Sequence, residues 1–192
     1  AKGSFKSITV ENRSGAGGAT GMLYGANAKN DGSIVTMITV ELATLEAMGN
    51  NAGLTYTQFK PIMMVNSAAS AITVKADDDR FNTLEDFIEY SKSNEVQVGN
   101  SGIGAIWHIA AFNFEEKFGV KFKHVPYPKG TADIAAALAG KHINATLADP
   151  SSFKSQVEAG NLKILAVMAA SRSEIYPNVP TFKELGHDMT IR

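Results

Sequence analysis

The strongest constraint on the fold of this chain is the stretch 98–149, where an apolar strand-like run, a glycine- or proline-bearing turn and an amphipathic helical pattern follow one another twice. It reads VGNSGIGAIWHIAAFNF, continues KHVPYPKGTADIAAALAGK and closes on the strand-like INATLAD. Strands separated by helices in this order pair side by side in parallel, because the helix carries the chain back to the sheet's starting edge. In the first turn Gly99, Gly102 and Gly104 let backbone N–H groups crowd together where the helix begins. In the second, Pro126, Pro128 and Gly130 lead into a helix over 131–139 that Gly140 ends. A helix start carries unpaired N–H donors and about half a positive charge, so two of them aimed at one cleft would hold a small anion.

The rest of the chain continues the alternation. Strands are expected at 7–10, 34–40, 59–65, 70–75, 96–98, 122–125, 143–148 and 162–168. Helices are expected at 19–29, 41–48, 83–93, 107–118, 131–139 and 153–159, with a last short one from 178 that Gly186 stops. The 83–93 pattern is the clearest, since Thr83 and Asp86 are spaced as a capping box ahead of Leu84, Phe87 and Ile88. Segment 11–18 (ENRSGAGG) is a Gly-rich loop, and 49–53 (GNNAG) closes the second helix. The class is α/β. The stretches 50–58 and 66–71 are where the chain would pass from one lobe to the next.

Several chemistries are excluded by spacing. A dinucleotide fingerprint G-x-G-x-x-G needs glycine at 107, where Trp107 stands, and no G-K-[ST] follows to make a phosphate loop. A nucleophile elbow G-x-S-x-G around Ser101 needs glycine at 103, and the residue is Ile103. His108, His124, His142 and His187 share no metal-ligand spacing, and Asp77-Asp78-Asp79 lacks the alternation and glycine of a calcium loop, so it reads as a solvated turn. No metal and no cofactor is expected. His108 falls one turn into its helix and either faces the cleft or steadies the loop from behind by bonding a backbone carbonyl. Asp149 ends a strand, where α/β sheets bind ligands, and could equally cap the helix that follows. The loop 15–18 is either a further helix-start anion site or a plain turn.

Composition narrows the partners. The 192 residues are 44% hydrophobic, enough for one ordinary domain or two small ones. The net charge of -1 comes from 18 basic and 19 acidic residues with no basic cluster, so nucleic acid is not an expected partner. There is no cysteine, hence no disulfide framework and no thiolate site. No run approaches the roughly 18 apolar residues of a membrane span, and the start AKGSFKSITVENR has no long apolar segment of a signal peptide.

Six segments, in order, resemble landmarks of the Bug-type periplasmic solute receptors that serve tripartite tricarboxylate transporters: ENRSGAGGATG, NDGSIVTM, GNSGIGAIWHIA, VPYPKGTADIAAALAGKHINATLAD, VEAGNLKILAV and SRSEIYPNVPTFKELG. The resemblance implies a two-lobed Venus-flytrap binding protein, not an enzyme, that closes around a small carboxylate in the periplasm and delivers it to a membrane permease. By position it implies ligand contacts from Thr39, Val40 and Glu41 in the first lobe. In the second it implies Ser101, Gly102, Gly104 and His108, then Tyr127, Lys129, Gly130 and Thr131, then Asp149. Lobes are expected at 1–65 (partial) and 66–168 (complete), with a return crossing over 169–192.

Against the family pattern, the chain begins just upstream of ENR and stops early at Arg192, which reads as a fragment whose unpaired sheet edges would open a route to dimerisation. Glu41 stands where the family has small or uncharged residues, and Pro128 reshapes the second anion turn. Two alternative functions remain: a hydrolase using Ser101 with His108, and a ligand-sensing module that docks on a membrane sensor.

Overall fold

The computed structural model describes residues 7–49 and 53–191, and the middle of the 49–53 loop, residues 50–52, lies outside them. The chain divides into two compact units, Ala1–Lys60 and Pro61–Arg192.

The second unit is built on one five-stranded sheet in the order β3-β2-β4-β1-β5. Its strands are β1 (Ala71–Lys75), β2 (Val96–Asn100), β3 (Phe122–Pro126), β4 (Ala145–Ala148) and β5 (Leu162–Val167). β2 pairs in parallel with β3 and β4, while β1 runs antiparallel between β4 and β5. Four strands therefore share one direction, and β1 alone opposes them.

The connecting helices are α3 (Leu84–Ser93), α4 (Ile106–Phe118), α5 (Thr131–Ala139) and the short α6 (Lys154–Glu158). Both faces of the sheet are covered, which is why the strands read as nearly continuous apolar runs. On one face Ile72, Val74, Val98 and Leu147 meet Phe87 of α3 and Ala110 and Phe114 of α4. On the other, Ala148 and Leu162 meet Ile134 and Leu138 of α5 and Phe153. Phe114 stacks on Phe122 with ring centroids 5.5 Å apart and meets Phe87 edge-on at 5.7 Å.

The capping box of α3 forms as the spacing requires, with Asp86 N–H donating to Thr83 Oγ1 at 3.1 Å and Thr83 N–H donating to Asp86 Oδ2 at 2.9 Å. The same reciprocal pair forms at Thr181 and Glu184, yet only a turn follows. Gly186 (φ 85) ends it at once, and Phe182, fully buried, anchors the segment in the core. The expected last helix is thus a single capped turn, and residues 180–182 lie along the free edge of β5 through a Val167–Thr181 bridge. The opposite edge, β3, carries exposed Lys123, a charge that discourages edge-to-edge pairing.

The first unit contains α1 (Ala19–Ala26) and α2 (Glu41–Ala47) around a small core of Ala19, Met22, Leu45 and Leu54. The Gly-rich loop winds into a 3-10 turn, Ala16–Gly18, directly ahead of α1. The strands expected at 7–10, 34–40 and 59–65 do not form: among the described residues these segments pair with nothing. The 34–40 segment crosses α1 closely, for a Cβ on Gly25 would collide with Thr36. Its apolar side chains point outward, with Val35 75% and Met37 62% exposed. An apolar run becomes a strand only when a second strand takes up its N–H and C=O groups, and none does here.

Candidate functional site

The C-terminal ends of β3, β2 and β4, which are neighbours in the sheet, place three turns side by side at one edge of the second unit. This is the edge at which open α/β sheets bind ligands.

The first turn, after β2, is held by its own side chains. Asn100, fully buried, accepts the Gly102 N–H on Oδ1 at 3.0 Å. Ala105 N–H donates to Gly102 O at 3.2 Å, and Gly104 N–H donates to His108 Nδ1 at 3.3 Å. Gly102 (φ 120) and Gly104 (φ 78) supply backbone angles that other residues rarely adopt. His108 therefore does steady the loop from behind, but by accepting a backbone N–H rather than bonding a carbonyl. Burial and the nearby His124 ring pull its pKa below the usual imidazole range, with Glu115 opposing. With Gly102 and Gly104 engaged, the amides of Ser101 and Ile103 are the ones without a partner among the described hydrogen bonds.

Gly99 belongs to β2 rather than to this turn. A Cβ there would lie 2.6 Å from Ile143 Cδ1 and 3.1 Å from Ile134 Cγ2, with the Tyr127 ring next, so the glycine lets α5 and the second turn close down on the sheet.

The second turn is tied to the first: Tyr127 N–H donates to Asn100 O at 2.8 Å. Gly130 N–H then closes the turn on Tyr127 O at 3.1 Å, with Pro128 at the position where its fixed φ favours turning. Thr131 opens α5, and no side chain caps that helix, nor does one cap α4. The start of α5 accordingly keeps donors for something else. Lys129 is an exposed charge beside them.

In the third turn Asp149 is the cap that its position allowed. Its Oδ1 accepts the Ser151 N–H at 2.9 Å and its Oδ2 accepts the Ser151 hydroxyl at 2.6 Å. Tyr176 steadies the same turn by donating its hydroxyl to Pro150 O at 3.2 Å. Burial pushes the Tyr176 phenol up, with Glu158 and Asp149 adding to the effect.

Thr39, Val40 and Glu41 lie in the other unit, at the start of α2, where Leu42 N–H donates to Thr39 O and Ala43 N–H to Val40 O. Glu41 occupies the first turn of that helix, where a carboxylate is favoured by the helix dipole. That is a local reason for an acid at this place.

Asp77-Asp78-Asp79 is more than a solvated turn. Arg80 grips Asp78 through Nε and Nη2 at 2.8 and 2.7 Å, and Lys163 donates to Asp78 O. Among the described residues no group of three His, Asp or Glu side chains could hold a metal ion, and no helix is long and apolar enough to cross a membrane.

A family model described as "Tripartite tricarboxylate transporter family receptor" matches residues 2–191. The chain belongs to this receptor family. A TctC solute-binding protein from Polaromonas, solved without ligand, is 39% identical with a TM-score of 0.73, over 92% of this chain and 60% of its own. The periplasmic binding protein BugD is 29% identical with a TM-score of 0.82, over 94% of this chain and 62% of its own. An R. palustris protein solved with adipate is 25% identical with a TM-score of 0.61, over 69% of this chain and 45% of its own. This TctC-family chain spans 52–56% of the length of the curated relatives it matches.

Two features of the candidate site in this TctC-family chain escaped the sequence. An Asn two residues ahead of a Gly at a strand end is the signal of an Asx turn, and it marks Asn100. No local signal announces that Glu115 on α4 bonds His124 on β3, because helix and strand must pack before the two meet.

Proposed function

We propose that this chain is the ligand-receiving part of a periplasmic receptor that captures a small carboxylate for a tripartite tricarboxylate transporter. The observation that carries this reading is the convergence of the three turns at one sheet edge, two of them opening into helix starts that no side chain caps. A carboxylate docks against the Ser101 and Ile103 amides and the first-turn amides of α5, with Ser101, Thr131 and Tyr127 at hand for further hydrogen bonds. Lys129 adds long-range attraction. Each charge-assisted bond contributes about 1.5–3 kcal/mol, so three or four of them suffice for binding near the micromolar level of about −8 kcal/mol. Asp149 shapes the third turn as a cap rather than meeting the anion, since two like charges would repel. The adipate held by the R. palustris relative makes a dicarboxylate the first ligand to try. On this reading the Pro61–Arg192 unit is the second lobe and Ala1–Lys60 part of the first.

A hydrolase built on Ser101 and His108 has less support. The nitrogen of His108 nearest the turn is engaged by Gly104, and a receptor family is not a catalytic one.

Isothermal titration calorimetry of the chain against mono-, di- and tricarboxylates, adipate included, tests the proposal. A saturable heat with a dicarboxylate, weakened when Gly130→Val strains the turn at a backbone angle (φ 122) that suits glycine, is the expected result. No heat with any acid, from a sample whose sheet and helices are intact by circular dichroism, overturns it.

A further inference from the structure

We propose that His108 is the positioning residue of the Gly-rich turn: a neutral acceptor that holds the Gly104 amide and thereby fixes which backbone N–H groups face a carboxylate. This deepens, and rests on, the anion-receiving reading of that turn. An imidazole nitrogen that accepts an N–H carries no proton of its own, so the Gly104–His108 bond requires the ring to be protonated at Nε2 only. A proton arriving at Nδ1 would set two donors against each other across 3.3 Å. The glycines on either side of Ile103 would then let the turn swing away.

The surroundings keep that proton off. Two titratable groups act on His108: His124 from β3 and Glu115 from α4 itself. The two imidazoles meet edge-on with centroids 4.7 Å apart, a distance at which two imidazolium charges would repel strongly. Glu115 is fixed as an acceptor on both oxygens, taking the Phe122 N–H at 2.6 Å on Oε1 and lying 3.1 Å from His124 Nε2 on Oε2. His124 therefore presents Nε2–H to Glu115, while its Nδ1 is buried with no partner. Glu115, His124, His108 and Gly104 thus form a continuous array from the helix and strand to the turn. It holds while His108 is neutral and opens as pH falls through the lowered titration of that ring.

Nuclear magnetic resonance of the ¹⁵N-labelled chain reads this directly. At pH 7.5 the His108 ring is expected as the Nε2–H tautomer. On acidification the Gly104 amide shift should titrate with the same midpoint as the His108 ring, below 6.5. H108N keeps an uncharged acceptor where Nδ1 sits, and it should abolish the Gly104 titration. H108F removes the acceptor and should speed Gly104 amide exchange at every pH. In adipate calorimetry at pH 7.5, H108F should weaken binding by about three- to tenfold, the equivalent of one neutral hydrogen bond, and H108N should weaken it less. A Gly104 amide indifferent to His108 ionisation, or an Nδ1–H tautomer at pH 7.5, overturns the proposal. Should the wild-type chain take no carboxylate, the anion reading fails, and the Gly104 titration still decides the role of His108. Should H108F not fold, wild type and H108N decide it.

Discussion

The strand-like runs of the two units have opposite fates. In Pro61–Arg192 the runs 70–75, 96–98, 122–125, 143–148 and 162–168 all become strands, each inside a sheet closed on both faces by helices or by the 180–191 segment. In Ala1–Lys60 the runs 7–10 and 34–40, just as apolar, stay unpaired among the described residues, and so does the junction run 59–65. Helices show no such contrast: α1 and α2 form as readily as α3 to α5. The reason is where the hydrogen bonds close. A helix satisfies its backbone within its own sequence, whereas a strand depends on a neighbour that its own residues do not specify. Hydrophobic pattern therefore reports readiness to pair, and pairing is a property of the whole sheet.

The largest expected effect that could break this contrast is in amide hydrogen exchange. Ile72–Val74 and Thr146, inside the sheet, should exchange only through global opening, at rates about 10⁴-fold or more below those of residues 35–38 and 62–65. Comparable protection of the two sets, measured by mass spectrometry after deuterium exposure, would mean that the first-unit runs do pair in solution.

Core truncation comes next. Phe114→Ala removes a fully buried ring that touches Phe87, Phe118, Phe122 and Phe182, and it should cost about 3–5 kcal/mol in urea unfolding. Leu45→Ala in the first unit should fall near the lower end of the Leu→Ala range, about 2 kcal/mol, because its core is small and collapses more easily. A greater loss from Leu45→Ala would reverse the ranking of the two units.

Gly99→Val sharpens the comparison at the site itself. The added carbons would meet Ile143, Ile134 and Tyr127, so stability should drop by about 1–3 kcal/mol and carboxylate affinity with it, since Tyr127 belongs to the second turn. Circular dichroism melts and calorimetry of the same sample would show both losses together.

Much of the candidate site's framework is legible in the sequence. The turns after residues 100, 126 and 148 were visible as Gly-, Pro- and Asp-bearing breaks between apolar runs, and the sheet set them side by side. Less legible was how each polar group would be used. Asp149 and Thr181 had local signals, and the caps formed in both cases; at Thr181 the helix those signals announce did not extend, because Gly186 and the buried Phe182 decided its length. The engagement of Gly102 and Gly104 depends on Asn100 and His108 turning back onto the backbone. The antiparallel course of β1 had no signal at all, since a strand buried on both faces reads the same in either direction.

The smallest expected effect concerns acid. Asp78 is held by the Arg80 guanidinium, whose hydrogen bonds lower the carboxyl's pKa against the opposing effect of burial, with Lys163 helping. A carboxylate whose folded pKa lies below its unfolded value of about 3.8 contributes its full stability above that pH. The contribution declines as pH falls below 3.8 toward the folded pKa, because there the unfolded chain binds a proton that the folded one does not. Arg80 is partly in solvent, so the pair contributes no more than about 1 kcal/mol. Asp78→Asn should therefore lower the urea midpoint slightly at pH 7 and flatten its decline as pH falls below about 3.8. Among the described residues of the first unit the Arg13–Glu11 pair is exposed on both sides, so Glu11→Gln should lower the urea midpoint at pH 7 by less than Asp78→Asn does. Equal losses at pH 7 from both substitutions would show that the ion pair in the turn after β1 gives the second unit no advantage.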